Sequence, residues 1–210
     1  MTITKKLKSV EETFVKKTPL EHIIDIPDTY IGSIEKTDID TWVYDDIEKK
    51  IKFKNIKYIP GLYKIFDEVL VNAIDQHVRV ENDTSVINKV TNIKVNFDQE
   101  TNKFSVYNNG DGIPIVEHKE HGIYIPELIF GNLLTSSNYD KDEKKITGGK
   151  NGYGAKLANI FSKKFRIETV DAKTKQKYIQ VFEKNMSIKN KPEITKSSLQ
   201  PYTLIEFYPD

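Results

Sequence analysis

A chain of 210 residues carrying 32 lysines and arginines against 31 aspartates and glutamates is electrostatically balanced, which argues against a basic nucleic-acid surface as its principal feature. The length fits one large or two small domains, ample for a core. With no cysteine, neither a disulfide framework nor a thiolate metal site is available. Arg79 and Arg166 are the arginines, so phosphate would be held by backbone amides and lysine point charges rather than by guanidinium forks.

The N-terminus, MTITKKLKSVEE, has no apolar core behind its charges and reads as neither a signal peptide nor a membrane span. Residues 1–17 are charged and aperiodic and are expected to form a flexible arm, with one domain over 18–210. Thr18-Pro19-Leu20-Glu21 offers a capping box with proline at the first helical position, opening a short helix, LEHII. Pro27 to Gly32 reads as a turn into an extended segment. Trp42-Val43-Tyr44 and Ile51-Lys52-Phe53 read as strands, and Pro60-Gly61 as a break.

Leu62 to Arg79, LYKIFDEVLVNAIDQHVR, is an amphipathic helix by the spacing of Leu62, Ile65, Phe66, Val69 and Ala73. Its second stripe is unusual. Glu68, Asn72, Asp75 and Arg79 share one face, where a solvated helix would carry Glu–Lys or Glu–Arg pairs. Asn and Asp are poor interior helix formers. A row of carboxylate, carboxamide and carboxylate suits a hard divalent cation and a water that needs a base; an ordinary polar face is the alternative.

Ile93 to Phe97 and Phe104 to Tyr107 alternate apolar and polar residues around a polar DQETNK connection, a hairpin. The second strand runs into Asn108-Asn109-Gly110-Asp111-Gly112-Ile113-Pro114, where two glycines let the backbone approach a ligand closely or simply make a turn. Pro126 opens a helix, PELIFGNLL. Residues 135–150 are polar and aperiodic, a long loop of the functional or disordered kind. It ends in Gly148-Gly149-Lys150-Asn151-Gly152-Tyr153-Gly154-Ala155-Lys156, which feeds an apolar helix through Leu157, Ile160 and Phe161.

A glycine-rich loop before a helix is either an anion cradle or a hinge. It is not a P-loop: Gly149 and Gly154 have the spacing, but Ala155 precedes Lys156 and Leu157 replaces the required hydroxyl. The dinucleotide fingerprint is absent too. Phe165 to Val170, Tyr178 to Phe182 and Thr203 to Phe207 supply further strands, and 184–200 reads as a surface excursion. The expected fold class is α+β, a two-layer sandwich with a mostly antiparallel or mixed sheet and helices on one face.

ExxxNxxD on a helix, a strand-terminal NxGxG and a glycine-rich loop, in that order, resemble the Bergerat-fold (GHKL) ATPases. The blocks PDTYIGS, PGLYKIFDEVLVNA, IPIVEHK, LIFGNLLTSSNYDKDEKKITGGKNGYGAKL and EFYPD are similar to the N-terminal ATPase domain of the eukaryotic-type DNA topoisomerase II family, from about Lys17 to Asp210.

The resemblance implies ATP and Mg²⁺ as cofactors. Glu68 would be the general base for the attacking water, and Asn72 the metal ligand; Asp75 would support the water and metal network. Asn108 would read adenine, with Thr203 assisting. Asn here, where many relatives of the fold have Asp, can both donate and accept. Ser136, Ser137 and Asn138 would contact ribose and phosphates. Gly149, Lys150, Asn151, Gly152, Tyr153, Gly154, Ala155 and Lys156 would wrap the triphosphate as a lid, with Lys150 where close relatives often carry Arg.

It also implies a second copy of the chain as partner, through a dimerising gate to which the 1–30 arm crosses, and double-stranded DNA through the full-length enzyme, with no membrane. The expected setting is nuclear for a eukaryotic source and cytoplasmic or virion-associated for a viral one. The family's transducer lysine and DNA-cleaving tyrosine would lie beyond Asp210, so the chain alone is expected to bind ATP and turn it over weakly. A nucleotide-gated clamp of the MutL or chaperone kind is the alternative. A histidine kinase would need a phosphoacceptor helix, which the sequence does not show. His22, His77, His118 and His121 read as structural or exposed, with His118 a candidate pocket support by resemblance.

Overall fold

The computed structural model describes residues 16–133 and 153–210. Thr18 caps α1 (Pro19–Asp25): its hydroxyl accepts the Glu21 amide, while Glu21 Oε2 accepts the Thr18 amide at 2.8 Å. The box spelled out by the sequence is therefore formed. Pro27 to Gly32 departs from expectation. Pro27 already has a helical φ of −57°, and residues Asp28–Ile31 make a one-turn helix, α2, which ends where Gly32 turns to φ 82°.

Among the described residues β1 (Thr37–Asp45) and β2 (Lys50–Tyr58) pair only with each other, as an antiparallel ribbon with Trp42 opposite Phe53. α3 spans Pro60–Glu81. Pro60 is thus the first turn of the helix rather than a break before it, since a missing N–H costs nothing there. Gly61 lets that turn press against Ile31, whose Cδ1 would stand 3.0 Å from a Cβ at that position.

β3 (Ile93–Asp98), β4 (Lys103–Asn109), β5 (Ser162–Asp171), β6 (Gln176–Glu183), β7 (Ile188–Lys189), β8 (Glu193–Lys196) and β9 (Tyr202–Pro209) form one sheet in the order β3-β4-β9-β5-β6-β7, with β8 also on β6. Every pairing is antiparallel. The segment expected to be a surface excursion therefore contributes two short edge strands. Their exposure explains why no apolar alternation announced them.

Register sorts the sheet into rungs. Phe104, Phe207, Phe165 and Phe182 lie side by side; next come Val106, Ile205, Ile167 and Gln180; then Asn108, Thr203, Thr169 and Tyr178. α3, α4 (Ile125–Gly131) and α5 (Gly154–Ile160) bury Ile65, Val69, Ala73, Phe130, Leu157, Ala158 and Ile160 against the first two rungs in one continuous core. Phe165, Phe182 and Phe207 are fully buried, each contributing about 1.5–3 kcal/mol. The two-layer α+β expectation holds. Among the described residues no helix is long and apolar enough to cross a membrane.

Candidate functional site

The helix-facing side of the sheet is apolar for two rungs save Gln180 on β6, and polar across β4, β9 and β5 at the third. Asn108 on β4 stands opposite Thr203 on β9, which stands opposite Thr169 on β5. All three are buried. Thr169 Oγ1 donates to the Tyr202 carbonyl at 2.8 Å, accepts the Ile113 amide at 2.9 Å and lies 3.3 Å from Thr203 Oγ1. Asn108 Nδ2 donates to the Asn109 carbonyl at 2.9 Å. One rung beyond the residues on which α3 and α5 rest, the sheet thus offers a carboxamide and two hydroxyls, a donor–acceptor set that can read a polar ring edge.

The loop after β4 is shaped by packing. A Cβ on Gly112, at φ 73°, would stand 2.1 Å from the Val170 carbonyl oxygen. Asp111 Oδ1 accepts the Asn88 amide at 2.8 Å and the Asn88 carboxamide at 2.7 Å, and Oδ2 accepts the Ile87 amide at 3.0 Å. Asp111 therefore ties the chain after α3 to the glycine loop. Of the two glycines read from the sequence as either a ligand approach or a turn, Gly112 lies against the Val170 backbone and Gly110 against the Val90 side chain.

On α3 the polar stripe adjoins the buried one, with Glu68 beside Val69 and Asn72 beside Ala73. Asn72 is exposed, and its Nδ2 donates to the Glu68 carbonyl at 2.6 Å. That bond leaves Oδ1 as the atom presented outward, an oxygen donor of the kind a hard cation takes. Glu68 Oε1 pairs with Lys64 Nζ at 2.5 Å, and this hydrogen bond raises the Lys64 pKa above its ordinary value. Oε2 lies over Gly154, where a Cβ would come within 2.1 Å of it. Asp75 is half-buried.

Tyr153 precedes α5, and its ring stands 6.2 Å from that of Tyr30, whose hydroxyl in turn bonds His22 Nδ1 at 2.9 Å. Gly154, Ala155 and Lys156 form the first turn of α5. Ala155 is buried in the core, so it could meet a ligand only through its backbone. Lys156 is 2% exposed, and burial pulls its pKa down to about 8. Ser136, Ser137, Asn138, Gly149, Lys150, Asn151 and Gly152 lie outside the described residues.

Glu68 thus meets Gly154 between α3 and α5, and Asn108, Thr203 and Thr169 share one rung of the sheet. Lys64 beside Glu68, Asp111 in the loop after β4 and Thr169 in the rung were not singled out from the sequence. The available signal for Thr169 was its place after Phe165 and Ile167 on the inward side of the alternating run FRIETV. Lys64, four residues before Glu68 on one helix face, was available too.

The histidine kinase-, DNA gyrase B- and HSP90-like ATPase family model matches residues 58–191. DNA topoisomerase 2 of Meyerozyma guilliermondii is 55% identical over 95% of this chain and 14% of that protein. DNA topoisomerase 2 of Acanthamoeba polyphaga mimivirus is 52% identical over 98% of this chain and 16% of that protein. The chain therefore spans a small fraction of the curated relatives it matches. The crystal structure of the ATPase region of Saccharomyces cerevisiae topoisomerase II superposes with a TM-score of 0.90 at 50% identity, covering 96% of this chain and 52% of that one.

Proposed function

The chain belongs to the histidine kinase-, DNA gyrase B- and HSP90-like ATPase family, and on that footing we propose that it binds Mg-ATP as the N-terminal gate of a type IIA DNA topoisomerase. The observation that carries this reading is 55% identity to a DNA topoisomerase 2 along 95% of the chain. Closure by pairing with a second copy, capture of a DNA duplex and strand passage belong to the longer polypeptide. Relatives from eukaryotes and from a virus support a nuclear setting in the first case and a cytoplasmic or virion-associated one in the second.

The donor set fits the nucleotide and its cation. Asn72 Oδ1 would hold Mg²⁺, which would supply positive charge to offset that of the phosphates. Asn108 and Thr203 would take the adenine edge, Asn108 using the donor–acceptor versatility that a carboxylate lacks. Glu68 would accept the proton of the attacking water at Oε2, its other oxygen being held by Lys64. Lys156 and the backbone of Tyr153 to Ala155 would meet the phosphates, together with Gly149, Lys150, Asn151 and Gly152. Ser136, Ser137 and Asn138 would meet the ribose side.

Calorimetric titration with a non-hydrolysable ATP analogue, with and without Mg²⁺, tests the assignment. Wild type and Glu68→Ala are expected to bind in Mg²⁺, and Asn72→Ala to lose the Mg²⁺-dependent part. Equal binding by all three would remove α3 from the site, and no binding by wild type would overturn the nucleotide reading for this chain.

A further inference from the structure

The connection into α4 runs Glu117-His118-Lys119-Glu120-His121-Gly122-Ile123-Tyr124 and is closed by an antiparallel bridge between Glu117 and Tyr124. His118 N donates to the Ile123 carbonyl and Gly122 N to the His118 carbonyl, both at 2.8 Å. Gly122 reverses the chain at φ 63°. The imidazoles of His118 and His121 are thereby stacked, with centroids 4.6 Å apart and planes 21° from parallel. Glu120 lies beside them: one ligand atom from each of the three residues falls within 4.8 Å of the others.

We propose that His118, Glu120 and His121 form a binding site for a late first-row divalent cation, Zn²⁺ above all. Two imidazoles and a carboxylate are a borderline donor set that favours Zn²⁺ and Cu²⁺ over the hard, oxygen-seeking Mg²⁺, which separates this site by chemistry from Asn72. Metal–nitrogen distances of ~2.0–2.1 Å in a tetrahedron place donor atoms about 3.3 Å apart. The side chains must therefore close inward, and Glu120 and His121, both exposed, are able to do so. The backbone need not move. It is pinned by the bonds above and by Ile125 N donating to the Val116 carbonyl at 3.0 Å, so binding orders little that is not already ordered. The long bond from the Glu120 amide to His118 Nδ1, at 3.3 Å, is given up when the imidazole turns its lone pair to the metal. A water completes the shell.

The test is a calorimetric titration of the 210-residue chain, free of any added histidine tag, with Zn²⁺ in the presence of excess Mg²⁺. One Zn²⁺ per chain is expected. His118→Ala and His121→Ala should each weaken binding by at least about tenfold, and Glu120→Gln by less. His77→Ala, whose ring instead bonds the Val90 carbonyl, should leave it unchanged, as should Asn72→Ala. Cu²⁺ bound in place of Zn²⁺ should show electron-spin coupling to two imidazole nitrogens. If His118→Ala unfolds, His121→Ala, with its exposed ring, carries the test alone. Wild type taking up no Zn²⁺ at one equivalent, or binding unchanged in His121→Ala, would overturn the proposal.

Discussion

Glu68 on α3 and Gly154 at the start of α5 share one small volume: a Cβ on Gly154 would stand 2.1 Å from Glu68 Oε2. The glycine at this point of the glycine-rich segment is therefore required by a carboxylate from another helix. The two Glu68 oxygens are also distinguished. Oε1 is held by Lys64 at 2.5 Å, while Oε2 faces the first turn of α5.

Gly154→Ala is expected to uncouple turnover from binding. Alanine suits a helix better than glycine, so the chain should fold. The methyl, however, must displace Oε2, and a misplacement of about 1 Å can cost about 10²-fold in rate. Under the proposed function, ATP turnover should fall by about that factor with little change in analogue affinity. Unchanged turnover would mean that the Oε2 position is irrelevant to the reaction.

Much of this was legible in the sequence, because the features concerned are periodic or chemically unusual. α3 was visible in its apolar spacing, the α1 cap in Thr18 and Glu21, and β3 and β4 in their alternation, with β5, β6 and β9 also read as strands. What was missed depends on tertiary partners. α2 hinges on Gly32 turning left-handed after a one-turn helix, which a Pro-to-Gly stretch states no more clearly than an extended turn. β7 and β8 are polar because they lie at an edge. Gly112 read as a ligand approach or a turn, since nothing in NNGDGIP says that Val170 lies against it. Lys64 is an ordinary helix-surface lysine until Glu68 is seen to depend on it.

Gly112→Ala should be destabilising. Its φ is 73° and its Cβ would meet the Val170 carbonyl oxygen at 2.1 Å. The residue must therefore leave that backbone conformation or push β5 away, at a cost of about 1–3 kcal/mol for the conformation alone. Thermal unfolding should show a loss of about 2–4 °C for each kcal/mol. Asp111→Ala should act in the same direction, since it strands the amides of Ile87 and Asn88. A wild-type melting temperature in Gly112→Ala would show that the loop can re-form elsewhere.

The face of the sheet away from the helices predicts part of the acid limb of stability. There, Arg166 pairs with Glu206 at 2.7 Å and with Glu168, and Lys177 reaches Glu168 at 2.7 Å. Burial alone would raise the Glu168 pKa, but hydrogen bonds from Lys177, Tyr202 and Arg166 outweigh it and hold the carboxyl below its ordinary value of 4.5. A depressed carboxyl stabilises the fold fully above the unfolded-state value and loses that contribution as pH falls through the folded-state one. Stability should therefore decline below about pH 4.5 more steeply in wild type than in Glu168→Gln, although the variant is the less stable at neutral pH. Denaturant unfolding across that range reads the difference, and parallel pH profiles would contradict it.

Under the proposed function, Lys156 should make ATP binding itself sensitive to pH. Burial brings its pKa down from 10.5 to about 8, so folding favours the neutral amine, and stability from this group rises as pH climbs between those values. Phosphate oxygens favour the ammonium and must raise the pKa again. Binding should thus take up a proton where the free protein has begun to lose it, and affinity should decline as pH rises past about 8. Titrations near that pH in buffers of different ionisation enthalpy measure the uptake directly. The apparent binding enthalpy should vary with the buffer in wild type and cease to do so in Lys156→Met, which would also bind more weakly. An enthalpy independent of buffer in wild type would mean that the Lys156 ammonium does not meet the phosphates.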